Sequence, residues 1–331
     1  MSDWKSEMFD EAPESGVYSM DDESLYGQVA YTLSYRQAVE QGIVTDMKIH
    51  LVHVTDSDVL EAMESGDDIV LNGENGEDVV LDTDGKKALA ASSIAARKWF
   101  RQAIDGGIAR KALAFFNRKA DCERAIDPSH PLALVDDSVE SFVFHSGLSN
   151  RQRVQARKQF ENHKGPALMS SVRAIREGVS IDDADTAILL RGYGSAEDEG
   201  ASVELIQHVG RVVRLNEGKE FANVVIPIPD FGTATPIRDR VLRLVSDLLE
   251  SMDVMPELVR VLEEGGDITA GTLREVGIHI HPSRTLSAEA LAKSVAYEVL
   301  SYVKETNRPL HDKLTKLQWT DLDDLFESLD G

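Results

Sequence analysis

Within the stretch ELIQHVGRVVRL, residues 204–215, three side chains are of types that hold anions. At about 100° per helical residue, Gln207, Arg211 and Arg214 stack on one narrow stripe, while Leu205, Val209 and Val212 gather opposite. Arginine presents a planar fork suited to bidentate contact with phosphate or carboxylate. An apolar helix that aims two guanidiniums and an amide one way therefore implies an anion in front of it, supplied by this chain or by a partner.

The elements that must hold such a stripe begin near residue 86. A long helix, KKALAASSIAARKWFRQAI, is followed by the apolar strands ALAFF, SFVFH, ALMSS, TAILL and ANVVIPI. Helical segments at 118–126, 150–162 and 202–214 lie between them, the second opened by a capping box of Ser149 and Gln152. Short apolar strands alternating with helices predict a parallel sheet covered on both faces, an α/β class. Upstream, SYRQAVEQG reads as a short helix stopped at Gly42, MKIHLVHV as a strand, and GDDIVLNGENGEDVVLDTDG as an acidic hairpin or surface insertion. Beyond Pro229 the periodicity is helical at 236–251, 254–264, 287–305 and 309–328, with few strand signals. The expected organisation is an acidic lead-in over 1–28, an α/β domain over 29–232 and a mainly helical accessory domain over 233–331.

In open parallel sheets, ligands collect where loops leave the C-terminal ends of strands. NRKAD, HSGLSNRQR, SSVRAIREGVSID and RGYGSAEDEG all fall at such places. Other motifs fail on inspection. Gly192 and Gly194 lack the third glycine of a dinucleotide loop, since position 197 is Glu, and TDGKKA has no glycine five residues before Gly85. His145, Asp182 and Ser146 lack the Gly-x-Ser-x-Gly elbow of a hydrolase. The histidines of GIHIHPS face one side of a strand without a further ligand set, so no metal site is assigned.

Composition narrows the partners. The net charge of −23 opposes indiscriminate binding to polyanions, yet it is uneven: 5 basic against 21 acidic residues in 1–88, 19 against 19 in 89–230, and 11 against 18 in 231–331. Only the middle third suits anion handling. The single cysteine, Cys122, forms no intrachain disulfide and fits a reducing cytosol, so a cytoplasmic location is expected. No apolar run approaches the roughly 20 residues of a membrane span.

Taken in order, SVRAIREGVSIDDADTAILL and QHVGRVVR resemble motifs V and VI of superfamily 2 helicases of the DEAD/DEAH type, and KALAFFNRKADCERA and FVFHSGLSNRQRVQARKQF resemble the segments that precede them. YSMDDESLYGQVAYTLSYRQAVEQGIVTDMKIHLV resembles the bridge between the two motor domains in bacterial and phage members of the restriction-type branch. The likeness covers about residues 17–230.

That resemblance implies a RecA-like, P-loop-NTPase-like C-terminal helicase domain. Helicases of this kind bind ATP and Mg²⁺ between two such domains, with the phosphate loop and metal-binding carboxylates on the first. By motif position, Arg214 is implied as the arginine finger, Arg211 as its neighbour and Gln207 as a polar contact on the same edge. Glu177, Gly178 and Ser180 match the turn of motif V, with Ser180 standing where many relatives carry Asp. Nucleic-acid backbone contacts are implied for Asn117, Arg118, Ser146, Gly147, Ser171 and Arg173, with DNA favoured over RNA on the resemblance alone. No Gly-x-x-x-x-Gly-Lys-Ser/Thr and no Asp-Glu box precede the bridge, so ATP hydrolysis is expected to need an N-terminal motor domain in trans or in a longer protein. The alternative is a non-catalytic regulatory or protein-binding module that keeps the motor fold, a reading that suits the acidic bias.

Overall fold

The computed structural model describes residues 28, 31, 33–55, 71–72, 78–79, 84–130, 133–172, 181, 183–190, 201–216, 218–230, 235–283, 287–306, 308–309 and 311. The described residues from Tyr35 onward form one compact unit. Its elements are α1 (Tyr35–Glu40), β1 (Met47–Thr55), β2 (Leu71–Asn72), β3 (Asp78–Val79), α2 (Asp84–Asp105), β4 (Lys111–Phe115), α3 (Lys119–Arg124), β5 (Glu140–Phe144), α4 (Asn150–Asn162), β6 (Ala167–Ser171), β7 (Thr186–Leu189), α5 (Ala201–Val212), β8 (Ala222–Asp230), α6 (Thr235–Ser251), α7 (Met255–Glu263), α8 (Ala270–Glu275), β9 (Ile278–His281) and α9 (Ala288–Thr306).

Seven strands form one sheet in the order β5-β6-β4-β7-β8-β1-β9, and every pairing in it is parallel. Successive residues of each strand feed opposite cores, which is why these strands read as unbroken apolar runs. Ile49 and Leu51 join the core beneath α4 to α9, whereas Val52 and Val54 join the core beneath α2 and α3. Small residues let α2 lie close to the sheet: Ala90, Ala91, Ser92, Ser93 and Ala96 are all fully buried. The acidic insertion between β1 and α2 pairs β2 with β3 as a short antiparallel ladder.

The segment after residue 232 does more than add helices. Strand β9 extends the sheet alongside β1, and Leu258, Leu273, Val295 and Val299 from α7, α8 and α9 share one core with β1, β4 and β8. Most of the helix expected at 309–328 lies outside the described residues.

The β1–β9 edge carries a histidine cluster against α2. The His50 Nε2–H donates to Asn223 Oδ1 at 3.1 Å, an orientation fixed because the Asn223 amide donates to the Ile108 carbonyl at 3.1 Å. His50 Nδ1 is then the acceptor for the Nε2–H of His281, 3.0 Å away. The His279 ring stacks on His50 at 5.2 Å, and Trp99 lies 4.6 Å from it on the other side. Burial, above all, pushes His50 down to about 3 and His281 down to about 4, and it lowers His279 as well. The folded rings stay neutral where unfolded ones, with an ordinary value of 6.5, take up protons. Stability therefore falls as pH drops below about 6.5, and goes on falling towards the folded values. His50 alone is expected to remove about 2 kcal/mol by pH 5, read as the difference in urea unfolding between pH 7.5 and 5 for the protein and its His50→Gln variant. Equal pH dependence in the two would contradict a neutral, buried His50.

Candidate functional site

Two groups of residues are brought together, one at the C-terminal ends of the strands and the other beside their N-terminal ends. The first group lies on the rim formed by the C-terminal ends of β4, β5 and β6. Phe115, Ser171 and Phe144 stand side by side there in register, and the Phe116 N–H reaches across to the Ser171 carbonyl at 2.9 Å. Asn117, Arg118, Ser146 and Gly147 follow directly and are exposed. The loops touch: a methyl group on Gly147 would sit 3.0 Å from the His145 ring and 3.7 Å from the Lys119 side chain. Position 147 is thus closed to larger residues. The Gly147 N–H donates to His145 Nδ1 at 3.0 Å, so Nε2 carries the proton directed at Glu123 Oε1, 3.1 Å away. This explains His145 as a loop-shaping residue.

Arg118 is 61% exposed, yet its guanidinium grips the buried Asp121 carboxylate with two bonds, at 2.9 and 3.3 Å, which Arg124 also approaches. It is held ready at the rim by a carboxylate of its own helix. Ser171 departs from the expected backbone contact. It is fully buried, and its hydroxyl donates to the Phe144 carbonyl at 2.9 Å, so it ties β6 to β5 from below. Arg173, Glu177, Gly178 and Ser180, and likewise Asp182, lie outside the described residues.

The second group is the arginine pair. Helix α5 ends at Val212, so Gln207 and Arg211 lie on the helix while Arg214 lies beyond it in an extended bridge to Val44. The helical stripe expected from the sequence does not continue to Arg214. Helix α5 runs from the rim back across the sheet, anchored by Val209 and Val212 in the core and by the His208 ring stacked on Phe115 at 3.9 Å. Its far end is clamped by backbone. Arg214 bridges to Val44, the Thr45 N–H donates to the Val213 carbonyl at 2.7 Å, and the Lys219 ammonium donates to the carbonyls of Arg214 and Ala184, each at 2.8 Å. Gln207 is exposed and both arginines are half-buried on the outward side. Burial lowers the Arg211 guanidinium below its ordinary range, and the charge of the adjacent Arg214 adds to this. The planar guanidinium fork suits this place to bidentate contact with phosphate or carboxylate.

Beside the two arginines, apolar side chains are exposed. Ile206 is 42% exposed, and Ile43 and Leu215, opposite each other across the Val44 bridge, are 50% and 53% exposed. A methyl group on Gly210 would meet nothing within 4 Å. A glycine inside a helix costs about 1 kcal/mol relative to alanine, and no contact among the described residues requires it.

Sequence reasoning did not find Lys111. It is fully buried, and its ammonium donates to the Phe160 and Glu161 carbonyls at 2.7 and 3.0 Å and pairs with Asp183. Asp183 also receives Arg110 at 2.7 Å and Asn216 at 3.1 Å, so Lys111 fastens the end of α4 to the turn before β7. A separate cavity of about 260 Å³ at the start of β1, lined by Tyr35, Asp46, Met252 and Gly277 among others, contains none of the expected site residues. Among the described residues no three His, Cys, Asp or Glu side chains converge as for a metal ion, and no helix is long and apolar enough to cross a membrane.

No curated protein matches the chain in sequence. In structure it is similar to the ATP-dependent Type ISP restriction-modification enzyme LlaBIII bound to DNA, with TM-score 0.58 and 20% identity over 86% of this chain and 19% of that one. The chain therefore spans less than a fifth of that enzyme. Weaker likenesses are the C-terminal part of the Fun30 ATPase domain (TM-score 0.36, 16% identity, 50% of this chain and 48% of that one) and the C-terminal domain of the DEAD-box protein Dbp5 (TM-score 0.38, 11% identity, 76% and 98%). Residues 95–216 match the helicase conserved C-terminal domain. That segment is therefore similar to the helicase conserved C-terminal domain, and it lies in an all-parallel sheet of RecA-like fold.

Proposed function

We propose that this chain acts as the second motor domain of an ATP-dependent DNA helicase or translocase of the restriction-type branch, working in the cytoplasm against a first RecA-like domain. The observation that carries the reading is the pair formed by Arg211, in the last turn of α5, and Arg214, two residues beyond its end, which lie near each other beside the exposed Ile206, Ile43 and Leu215 and beside Gly210. Such a surface suits a second protein body that brings a polyphosphate with it.

In this reading Arg214 reaches the γ-phosphate of ATP, Arg211 shares the charge that develops on it, and Gln207 hydrogen-bonds along the same edge. The first domain holds the triphosphate and Mg²⁺, which neutralises charge on the phosphate oxygens. Arg118, with the polar groups of Asn117, Ser146 and Gly147, contacts the nucleic-acid backbone without reading sequence. The preference for DNA leans on the DNA-bound LlaBIII likeness together with the sequence resemblance.

Mixing this chain with a phosphate-loop-bearing domain encoded beside it tests the proposal. ATPase activity stimulated by single-stranded DNA is the expected result, and no stimulation at any ratio would count decisively against it. Gly210→Ala separates the two roles of its position. It should raise the unfolding free energy by about 0.5–1 kcal/mol in denaturant titrations while lowering the stimulated ATPase, because the added methyl group stands where the partner surface must come close.

A further inference from the structure

Helix α4 is an island of positive charge on an acidic protein. Residues 150–164 include five basic side chains and one acidic, against a net charge of −23 for the chain. At about 100° per residue, Arg151 and Lys158 share one stripe, bordered by Gln152, Gln155, Gln159 and Asn162, and all six are exposed. The one carboxylate is turned aside: Glu161 is half-buried, and Arg157 lies 3.6 Å from it.

Helix formation does not account for this pattern. The first turn contains no acidic residue and the last turn no basic one, the reverse of what the helix dipole favours. Arg151 instead adds its charge to the partial positive charge of the helix N-terminus. The position of the helix is equally informative. Its capping residue Ser149 comes two residues after Gly147 on the exposed rim, and α4 then runs down the flank beside the edge strand β5.

We infer that the outward face of α4 is a phosphate track that continues the rim, along which a single strand of nucleic acid leaves the protein past β5. The inference rests on the nucleic-acid reading of the rim given above. Arg151 and Lys158 are separated by about 10 Å along the helix axis, the rise of about three nucleotides in one strand. The amides between them donate to phosphate and sugar oxygens regardless of base.

The test uses the full chain and fluorescein-labelled oligothymidylates of 6 and 20 nucleotides, with anisotropy titrations between 20 and 200 mM salt. The double variant Arg151→Gln, Lys158→Gln should lower the slope of log affinity against log salt for the 20-mer by about 1.4. It should also weaken that complex about tenfold at low salt, with the 6-mer scarcely affected. Both side chains are exposed, so circular dichroism and the melting temperature should match the parent. An unchanged slope and affinity for the 20-mer would overturn the track, while loss of both oligomers on Arg118→Ala would show that the rim still stands. Failure of the parent to bind either oligomer would remove rim and track together. If the double variant lost only binding to polyglutamate, the face would belong to an acidic protein instead, and the track would again be overturned.

Discussion

Arg214→Ala is expected to cut the DNA-stimulated ATPase of the chain, combined with its first motor domain, by about 10³-fold or more, while nucleotide affinity changes less than tenfold. The asymmetry arises because a finger of this kind meets charge that exists only in the transition state. The scaffold makes the experiment clean. The backbone at 213 and 214 is held by Val44, Thr45 and Lys219, so truncating the side chain leaves α5 in place. Arg214→Lys should rescue little, because an ammonium lacks the planar fork. Phosphate release at saturating ATP and titration with a fluorescent nucleotide supply the two readouts. Retained turnover in the alanine variant would refute the assignment.

Lys111→Met should destabilise the fold by about 3 kcal/mol in urea titrations. A buried cation satisfied by two carbonyls and a carboxylate contributes mainly through what its loss leaves behind. The Phe160 and Glu161 carbonyls would lose their donor, and Asp183, only 25% exposed, would keep Arg110 and Asn216 alone. Methionine fills the volume of the stem, so the measured cost reports the lost polar contacts rather than a cavity. A change under 1 kcal/mol would mean that water reaches those carbonyls.

Local signals carried well from sequence to structure. The Ser149–Gln152 capping box forms in both directions, since it depends on four consecutive residues. The apolar strands register as expected because burial on both faces leaves no alternation to misread. Strand β9 was harder to see. It is four residues of alternating Ile and His, and its partner β1 lies 231 residues away from His281 at His50, a parallel pairing that leaves no turn signal. Lys111 was illegible because a lysine at a strand start defaults to solvent, and the helix-end carbonyls that satisfy it are 49 and 50 residues distant. At the rim, the resemblance assigned Ser146 and Gly147 to a loop after a strand, and both are exposed there. It could not show that the Ser171 hydroxyl already has an acceptor in Phe144.

The stack of His208 on Phe115 gives α5 the character of a rocker arm. The arm rests, past its middle, on the final residue of a strand whose loop faces the rim, and the backbone just beyond its far end is held beside Val44 and Thr45. A ligand that shifted the tip of β4 would have to move this rod or break the ring contact, so under the proposed function holding a nucleic-acid strand and turning over ATP would be mechanically linked.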